Sequence, residues 1–548
     1  MTTQATIIPS CPEAPVKSSA WKYGSYGGPD NLHNASSIIA MVQEGYRLVK
    51  LSEHQVLVEF EDGSSENPSN WQFTRKLYIA IVALLLVLSG GITSSLPSNS
   101  VESTMRDYNV KGDMNKVLPT AVFLIGYMVG PIVFSPLSET IGRKPVLLWT
   151  YSLFVLGSLG TALAPDWRSM LVFRWICGTA GSAPQTVVGG VYADLFADPR
   201  MRGRMMAAYM SATSFGPILG PIISGCVLPD DWRWCYRLVT VFYGCVWIAL
   251  MFISGEPFPC VFYGIALTNT EETFGPYIMK KEAMRLRKES NSKDYVTRQE
   301  LNSTGFKDEA LQILTRPLTM LIFEPVVLFS SIYLAYAYGL IFFSFQAYPI
   351  VFEGIHTATS NIGLTMISIL TRSLVGIGAS SSGFFTLFYD TVYEKAKSKG
   401  RAWTSRAEFQ RLPTGCIGGP CLTIGLFWLG WSAQPHVHWI APVLSGVFFG
   451  FGYQIIFISL QTYIADVYRI YSASALAASV VTRSLVGALL PLAADPLYEA
   501  LGVGWGTSVV GFASLACIPI PFGFLYFGPW MRKKSPFCRR LAERGMGM

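Results

Sequence analysis

The sequence predicts an all-α membrane protein of 12 transmembrane helices, in two six-helix bundles related by a pseudo-two-fold axis along the membrane normal. Three observations carry that reading. Apolar stretches of about 20 residues, long enough to cross a hydrocarbon core of roughly 30 Å, follow one another from Leu77 to Gly528. Almost every Lys and Arg falls in alternate gaps between them. One long polar connection divides the series six and six.

Composition agrees. Hydrophobic residues make up 51% of the 548 and charged residues only 14%, against about 25% charged in soluble domains. Mean hydropathy is +0.37. So few charges cannot coat a soluble protein of this size. The net charge of +7 fits an acidic partner such as nucleic acid only if it is clustered for that purpose, and it is not. In the short loops, Arg143 and Lys144, then Arg200, Arg202 and Arg204, face Arg168 alone on the other side. Basic residues mark the cytosolic side of a membrane protein. The excess is therefore a topology signal that places both termini in the cytosol, and nucleic-acid binding is excluded.

Residues 1–76 are polar and irregular, and are expected to form a partly disordered cytosolic segment. No short apolar core stands near Met1, so no cleaved signal peptide is expected and the first span serves as an uncleaved anchor. The N-terminal bundle covers 77–254, with spans 1 to 6 at 77–96, 117–137, 145–164, 169–190, 205–228 and 236–254. Span 5 concentrates Gly216, Pro217, Gly220, Pro221 and Gly225. Glycine permits close backbone approach, which drives association in lipid, and proline removes ladder hydrogen bonds and bends the helix. Cys226 and Cys235 flank one outer loop, either as a bridge or as two small buried residues. The remaining cysteines show no metal-like spacing.

The connection, 255–318, holds a basic run from Lys280 to Lys288 that reads as a surface helix, either a lipid-contacting clamp or a solvated tether. The acceptor sequences at Asn34 and Asn302 fall on the cytosolic side, so neither is expected to be glycosylated. The C-terminal bundle covers 319–528, with spans 7 to 12 at 319–347, 360–384, 414–433, 439–460, 474–494 and 506–528, followed by a basic cytosolic tail, 529–548. Internal repetition supports the division. Span 4 ends in Tyr192-Ala193-Asp194 and span 10 in Tyr463-Ile464-Ala465-Asp466. Parallel halves place a substrate site between two units that tilt against each other. A hexapeptide at 371–376 recurs at 482–487, either a further trace of duplication or a coincidence.

The link between spans 2 and 3, Pro136-Leu137-Ser138-Glu139-Thr140-Ile141-Gly142-Arg143-Lys144-Pro145, resembles the signature of the major facilitator superfamily. Leu171-Val172-Phe173-Arg174 followed by Gly178 is similar to a second signature, and the span 5 run to the antiporter signature. With Glu66 to Trp71, Phe323-Glu324-Pro325, Tyr348 to Phe352 and Trp505, the pattern resembles the fungal branch of twelve-span drug:proton antiporters. The resemblance implies the major facilitator fold and proton antiport by alternating access. Glu139 replaces the signature's Asp, as that branch does. Gln346 stands where many relatives carry Glu, removing one possible proton carrier. Residues 255–269 are extra, either a longer span 6 or an error in the gene model.

Glu139, Arg143 and Asp194 form a group of charges at one membrane face that an Arg fork can bridge. The resemblance implies a conformational latch there, including Gly142 and Lys144, with Asp390 and Asp466 a weaker echo in the second half. The alternative is a surface ion pair of at most about 1 kcal/mol. Arg174, Arg372 and Arg483 lie inside spans, where a charge costs several kcal/mol unless it faces a partner or a wet cavity. Each is either a cavity cation or an Arg bonded to backbone carbonyls. Tyr127, Gln185, Tyr338, Gln346 and Gln454 are candidates for the cavity wall, with helix packing as the alternative. Glu324 is the most intramembrane carboxylate and the candidate proton carrier, unless Glu324-Pro325 only starts a helix.

An exporter of amphipathic organic molecules, such as drugs, toxins or a secondary metabolite, is the preferred reading, with a dedicated organic-acid or polyamine carrier as runner-up. The expected partners are the substrate, protons and lipids, the expected state a monomer in the plasma membrane, and the expected energy source the proton gradient with no cofactor. An enzyme is excluded: five His make no metal cluster, and no phosphate-cradling loop or nucleophile triad is present.

Overall fold

A computed structural model describes residues 40–43, 45–52, 55–227, 231–251, 272–291, 294–301, 306–353, 388–401, 403, 406, 408–434, 436–468 and 471–543. Span 8, with Arg372 and the first copy of the hexapeptide, lies outside them. So do residues 255–269, Asn34, Asn302 and the Asp390 side chain.

Within the described residues the chain is overwhelmingly helical. Spans 1 to 7 run Phe73–Ser95, Met114–Ile141, Arg143–Leu163, Trp167–Gly181 with Ala183–Leu195, Pro199–Cys226, Trp232–Met251 and Pro325–Glu353. Spans 9 to 11 run Glu408–Ser432, Ile440–Tyr468 and Ser472–Leu489. Span 12 is built from Ala494–Cys517, broken at Gly502, and Pro519–Lys534. Nine described helices are long and apolar enough to cross a membrane. Spans 11 and 12 run on as one of the nine, and span 4 falls short because it is broken at Ser182. Pro184 explains the break, since it has no N–H to offer the Ala180 carbonyl.

Lipid, not water, decides which side chains face outward. On span 3 the outward stripe is Trp149, Leu153, Leu156 and Leu163, whereas Thr150, Tyr151, Ser158 and Thr161 are buried. Burial of apolar surface therefore cannot hold the helices together, and close packing and interhelical hydrogen bonds do. The span 5 glycines show it: a Cβ on Gly216 would stand 2.6 Å from the Cα of Gly91 on span 1. Pro217 packs on the same point, and the Pro221 carbonyl accepts from Asn99 Nδ2 at 2.7 Å.

Three sequence expectations are corrected. Span 7 begins at Pro325, not 319, because Glu324-Pro325 ends a separate helix, Phe306–Phe323, whose apolar Leu318, Ile322 and Phe323 continue the hydropathy signal although exposed. The segment expected to be irregular before span 1 holds β1 (Ala40–Gln43), β2 (Tyr46–Ser52) and β3 (Gln55–Phe60), an antiparallel meander. β4 (Tyr295–Val296), from the connection between the halves, adds parallel to β3. The basic helix, Gly275–Ser290, is not a free tether. It lays Ala283 and Leu286 against Tyr46, Leu48 and Val58 of the sheet, while Arg287 binds the Tyr295 carbonyl at 2.6 Å and Glu300 at 2.5 Å. Of the two readings of Cys226 and Cys235, the bridge is not formed: both are free thiols, Cys235 buried and Cys226 exposed.

A compact turn links this module to span 1. Asn67 Oδ1 accepts from the Ser69 amide at 3.0 Å, and Trp71 Nε1 donates to the Ser65 carbonyl at 3.0 Å. Arg75 stacks over the Trp71 ring at 3.9 Å. The Glu66 to Trp71 motif is thus a self-capped turn.

Candidate functional site

Two constellations emerge, one at the face that carries the sheet and one at mid-depth between the halves. At the first, Gly142 takes φ +105° between spans 2 and 3, a conformation side chains disfavour. Span 3 therefore starts at once with Arg143, whose guanidinium crosses span 4 in the space that a Cβ on Gly190 would fill. Its Nε donates to Asp194 Oδ2 at 2.6 Å, and its carbon lies 4.8 Å from the Phe274 ring centre. Both partners are largely buried, at 11% and 21% side-chain exposure, so this is no exposed surface pair. Glu139 sits close enough to act on the charge of Asp194.

A residue not singled out from the sequence completes this group. Glu272, buried, accepts from the Lys144 amide at 3.1 Å through one oxygen, and from the Thr273 and Phe274 amides at 2.8 and 3.1 Å through the other. The connection between the halves is thus sewn onto the link between spans 2 and 3. The Lys144 Nζ is buried without a hydrogen-bond partner among the described residues.

The second half repeats the pair with a different cation. Arg411, at the start of span 9, donates from Nε to Asp466 Oδ2 at 2.8 Å. The partners are 55 residues apart, against 51 for Arg143 and Asp194. Asp466 therefore holds the position expected of it, but opposite Arg411, which the sequence reading passed over. The six-span repeat was the available signal: it maps the start of span 3 onto the start of span 9, where Arg411 is the basic residue.

Glu324 lies at this same face, fully buried in the break before span 7. Its carboxylate accepts from the Tyr468 hydroxyl at 2.9 Å and the Phe537 amide at 3.1 Å. It joins the start of span 7 to the end of span 10 and to the tail helix Pro536–Glu543.

The intramembrane arginines differ from each other. Arg174 is fully buried, and its donors end on backbone carbonyls: Pro119 at 3.0 Å, Thr93 at 2.6 Å and Ser94 at 3.3 Å. Thr93 and Ser94 belong to the last turn of span 1, whose carbonyls lack intrahelical partners and carry the negative end of the helix dipole. Arg174 thus clamps spans 1, 2 and 4 together. Arg483 on span 11 is 1% exposed and lies over two rings, Tyr338 of span 7 at 5.3 Å and Phe457 of span 10 at 5.2 Å.

Across from it, span 4 presents Gln185, which accepts a hydrogen bond from Tyr127 through its side chain and one from Tyr209 through its carbonyl. The break at Ser182 sets Gln185 on the first turn of a new helix, turned toward both. Gln454 Nε2 on span 10 donates to Ser211 Oγ on span 5 at 3.3 Å, a direct bond between the halves. Gln346 is half-buried on span 7, eight residues beyond Tyr338. The structure thus gathers Tyr127, Gln185, Tyr338, Gln454 and Arg483 at one level, and adds Tyr209, Ser211 and Phe457. Arg174 and Glu324 lie elsewhere.

A family profile described as the Major Facilitator Superfamily matches residues 79–491. A Penicillium rubens protein named as the transporter paaT is 33% identical over 492 residues, covering 89% of this chain and 84% of the relative. A Didymella fabae protein named as the transporter of an ascochitine biosynthesis cluster is 32% identical, covering 87% and 88%. An Aspergillus fumigatus protein named as the multidrug transporter mdrA is 31% identical, covering 89% and 78%. Among solved structures, a proton:xylose symporter, XylE, superposes with a TM-score of 0.57 at 17% identity, covering 83% of this chain and 97% of that one. That likeness concerns the fold.

Proposed function

The chain belongs to the major facilitator superfamily, and on that premise we propose that it exports amphipathic small organic molecules by proton antiport, with two halves that alternately open a shared central site. That it is a multi-pass membrane transporter follows from family and fold together. Export is supported by the efflux and metabolite-cluster transporters among its relatives.

One observation carries the alternating mechanism. The same Arg–Asp bond is made in each half, at the same helix ends, by Arg143 with Asp194 and by Arg411 with Asp466. Each pair locks two neighbouring helices into one body, which is what rigid halves need in order to rock against each other. Proton transfer falls to carboxylates at helix ends, because the middles of the spans contain none. Glu324, fully buried, and Asp194, partly buried, are two whose charge is tied to helix-to-helix bonds. The protein acts as a monomer in the plasma membrane with its termini in the cytosol, driven by the proton gradient without a cofactor.

The test is the purified full chain in liposomes loaded with fluorescent amphipathic dyes, under an imposed pH gradient. Dye movement is expected to follow the gradient and stop when a protonophore collapses it. Movement unchanged by collapse overturns antiport.

A further inference from the structure

The two buried arginines part company in how their charge is met. Each nitrogen of Arg174 meets a carbonyl; on Arg483, Nε and Nη2 have no hydrogen-bond partner among the described residues. These two nitrogens are not arbitrary. They form one edge of the guanidinium, and that edge binds a carboxylate through two parallel hydrogen bonds.

No side chain of the surrounding spans supplies an anion. The sequence has no Asp or Glu in 325–352, 354–387, 440–465 or 472–489, nor in 114–138, 167–193 or 199–226 of the facing half. Span 8 therefore brings no carboxylate either. Tyr127 and Tyr209 act electrostatically on Arg483. Their hydroxyl protons are already committed to Gln185, so they offer lone pairs and no countercharge. A buried cation left this way costs several kcal/mol. An arriving anion would recover that cost.

The surroundings define the rest of the ligand. Tyr338 and Phe457 flank the Arg483 guanidinium on the C-terminal half, so a group that reaches its unpaired edge meets an aromatic, apolar wall. Gln454 spends its amide nitrogen on Ser211, and its oxygen is buried without a partner among the described residues, ready to accept from a ligand hydroxyl or N–H.

We propose that Arg483, Tyr338 and Phe457 form an organic-anion subsite, and that the cargo is an aromatic or similarly flat carboxylate. The inference rests on the transport reading above and narrows it to a substrate class.

The test uses the purified full chain in detergent, with 2-naphthoate and its neutral isostere 2-naphthamide as probes, followed by thermal stability and then by flux in liposomes. Naphthoate is expected to bind at least about tenfold more tightly than the amide. Arg483→Gln is expected to erase that preference while amide binding stays, Arg483→Lys to keep part of it, and Tyr338→Leu to weaken both probes. Equal binding by the native chain, no stabilisation by millimolar naphthoate, or a preference surviving in Arg483→Gln overturns the subsite. If Arg483→Gln does not fold, the native preference and its response to Tyr338→Leu decide. Preferential binding without flux overturns the transport reading and leaves the subsite standing, whereas flux without preference does the reverse.

Discussion

Arg143 reaches Asp194 only because residue 190 has no side chain: the guanidinium lies in the space a Cβ there would occupy, and the bond closes at 2.6 Å. Gly190→Ala is therefore expected to break the pair without touching either partner. The displaced, half-satisfied charge should destabilise this end of the bundle by about 1–3 kcal/mol. Transport by Gly190→Ala should fall to the level of Arg143→Gln, and melting of the purified variants checks the stability. Native activity in Gly190→Ala would show that the pair is dispensable.

Arg411 in the second half should behave as Arg143 does in the first. Arg411→Gln is expected to impair transport comparably, and Lys at either position to restore little, since the bond runs through Nε rather than a terminal ammonium. Initial flux rates for the four single variants, at matched surface expression, decide. Full activity of Arg411→Gln removes the symmetry argument.

Arg174→Met should fail through folding. It leaves the carbonyls of Thr93, Ser94 and Pro119 without their donor, at about 1–3 kcal/mol for each buried group left unpaired. Size-exclusion profiles in detergent are expected to show aggregation, whereas Arg483→Met, which removes a charge that holds no such carbonyls, should stay monodisperse.

Glu324→Gln tests the proton. The amide can still accept one of the two hydrogen bonds, from Tyr468 or from the Phe537 amide, but it cannot titrate. Flux is expected to lose its dependence on the pH gradient. If the gradient still drives flux, Glu324 is an anchor for the tail and Asp194→Asn becomes the next variant to measure.

The sheet is tested by Val58→Asp. Val58 is fully buried between the strands and Ala283 and Leu286, so a carboxylate there should unfold the module while leaving the spans intact. Limited proteolysis is expected to cut the Gly275–Ser290 helix in the variant and spare it in the native chain.

Hydropathy could reveal the spans because lipid demands about 20 apolar residues per crossing whatever the neighbours are. It misplaced the start of span 7 for the same reason: Leu318, Ile322 and Phe323 are apolar too, and only the Glu324-Pro325 break separates them from the membrane helix. In the small sheet only the pairing of Leu57 with Val296 was illegible, because those partners are far apart in the chain. The strands β1 to β3 are chain neighbours, and a local pattern there was passed over.

The membrane setting, the twelve-span plan and the residue types that carry charge into lipid are local consequences of solvation, and so are legible in the order of residues alone. Tertiary structure decided what those charges do. It closed Arg174 onto carbonyls, set Arg411 opposite Asp466, and left one edge of Arg483 without a hydrogen-bond partner beside two rings. Whether a buried cation is satisfied depends on groups that other helices bring within about 3 Å, a proximity that only packing creates.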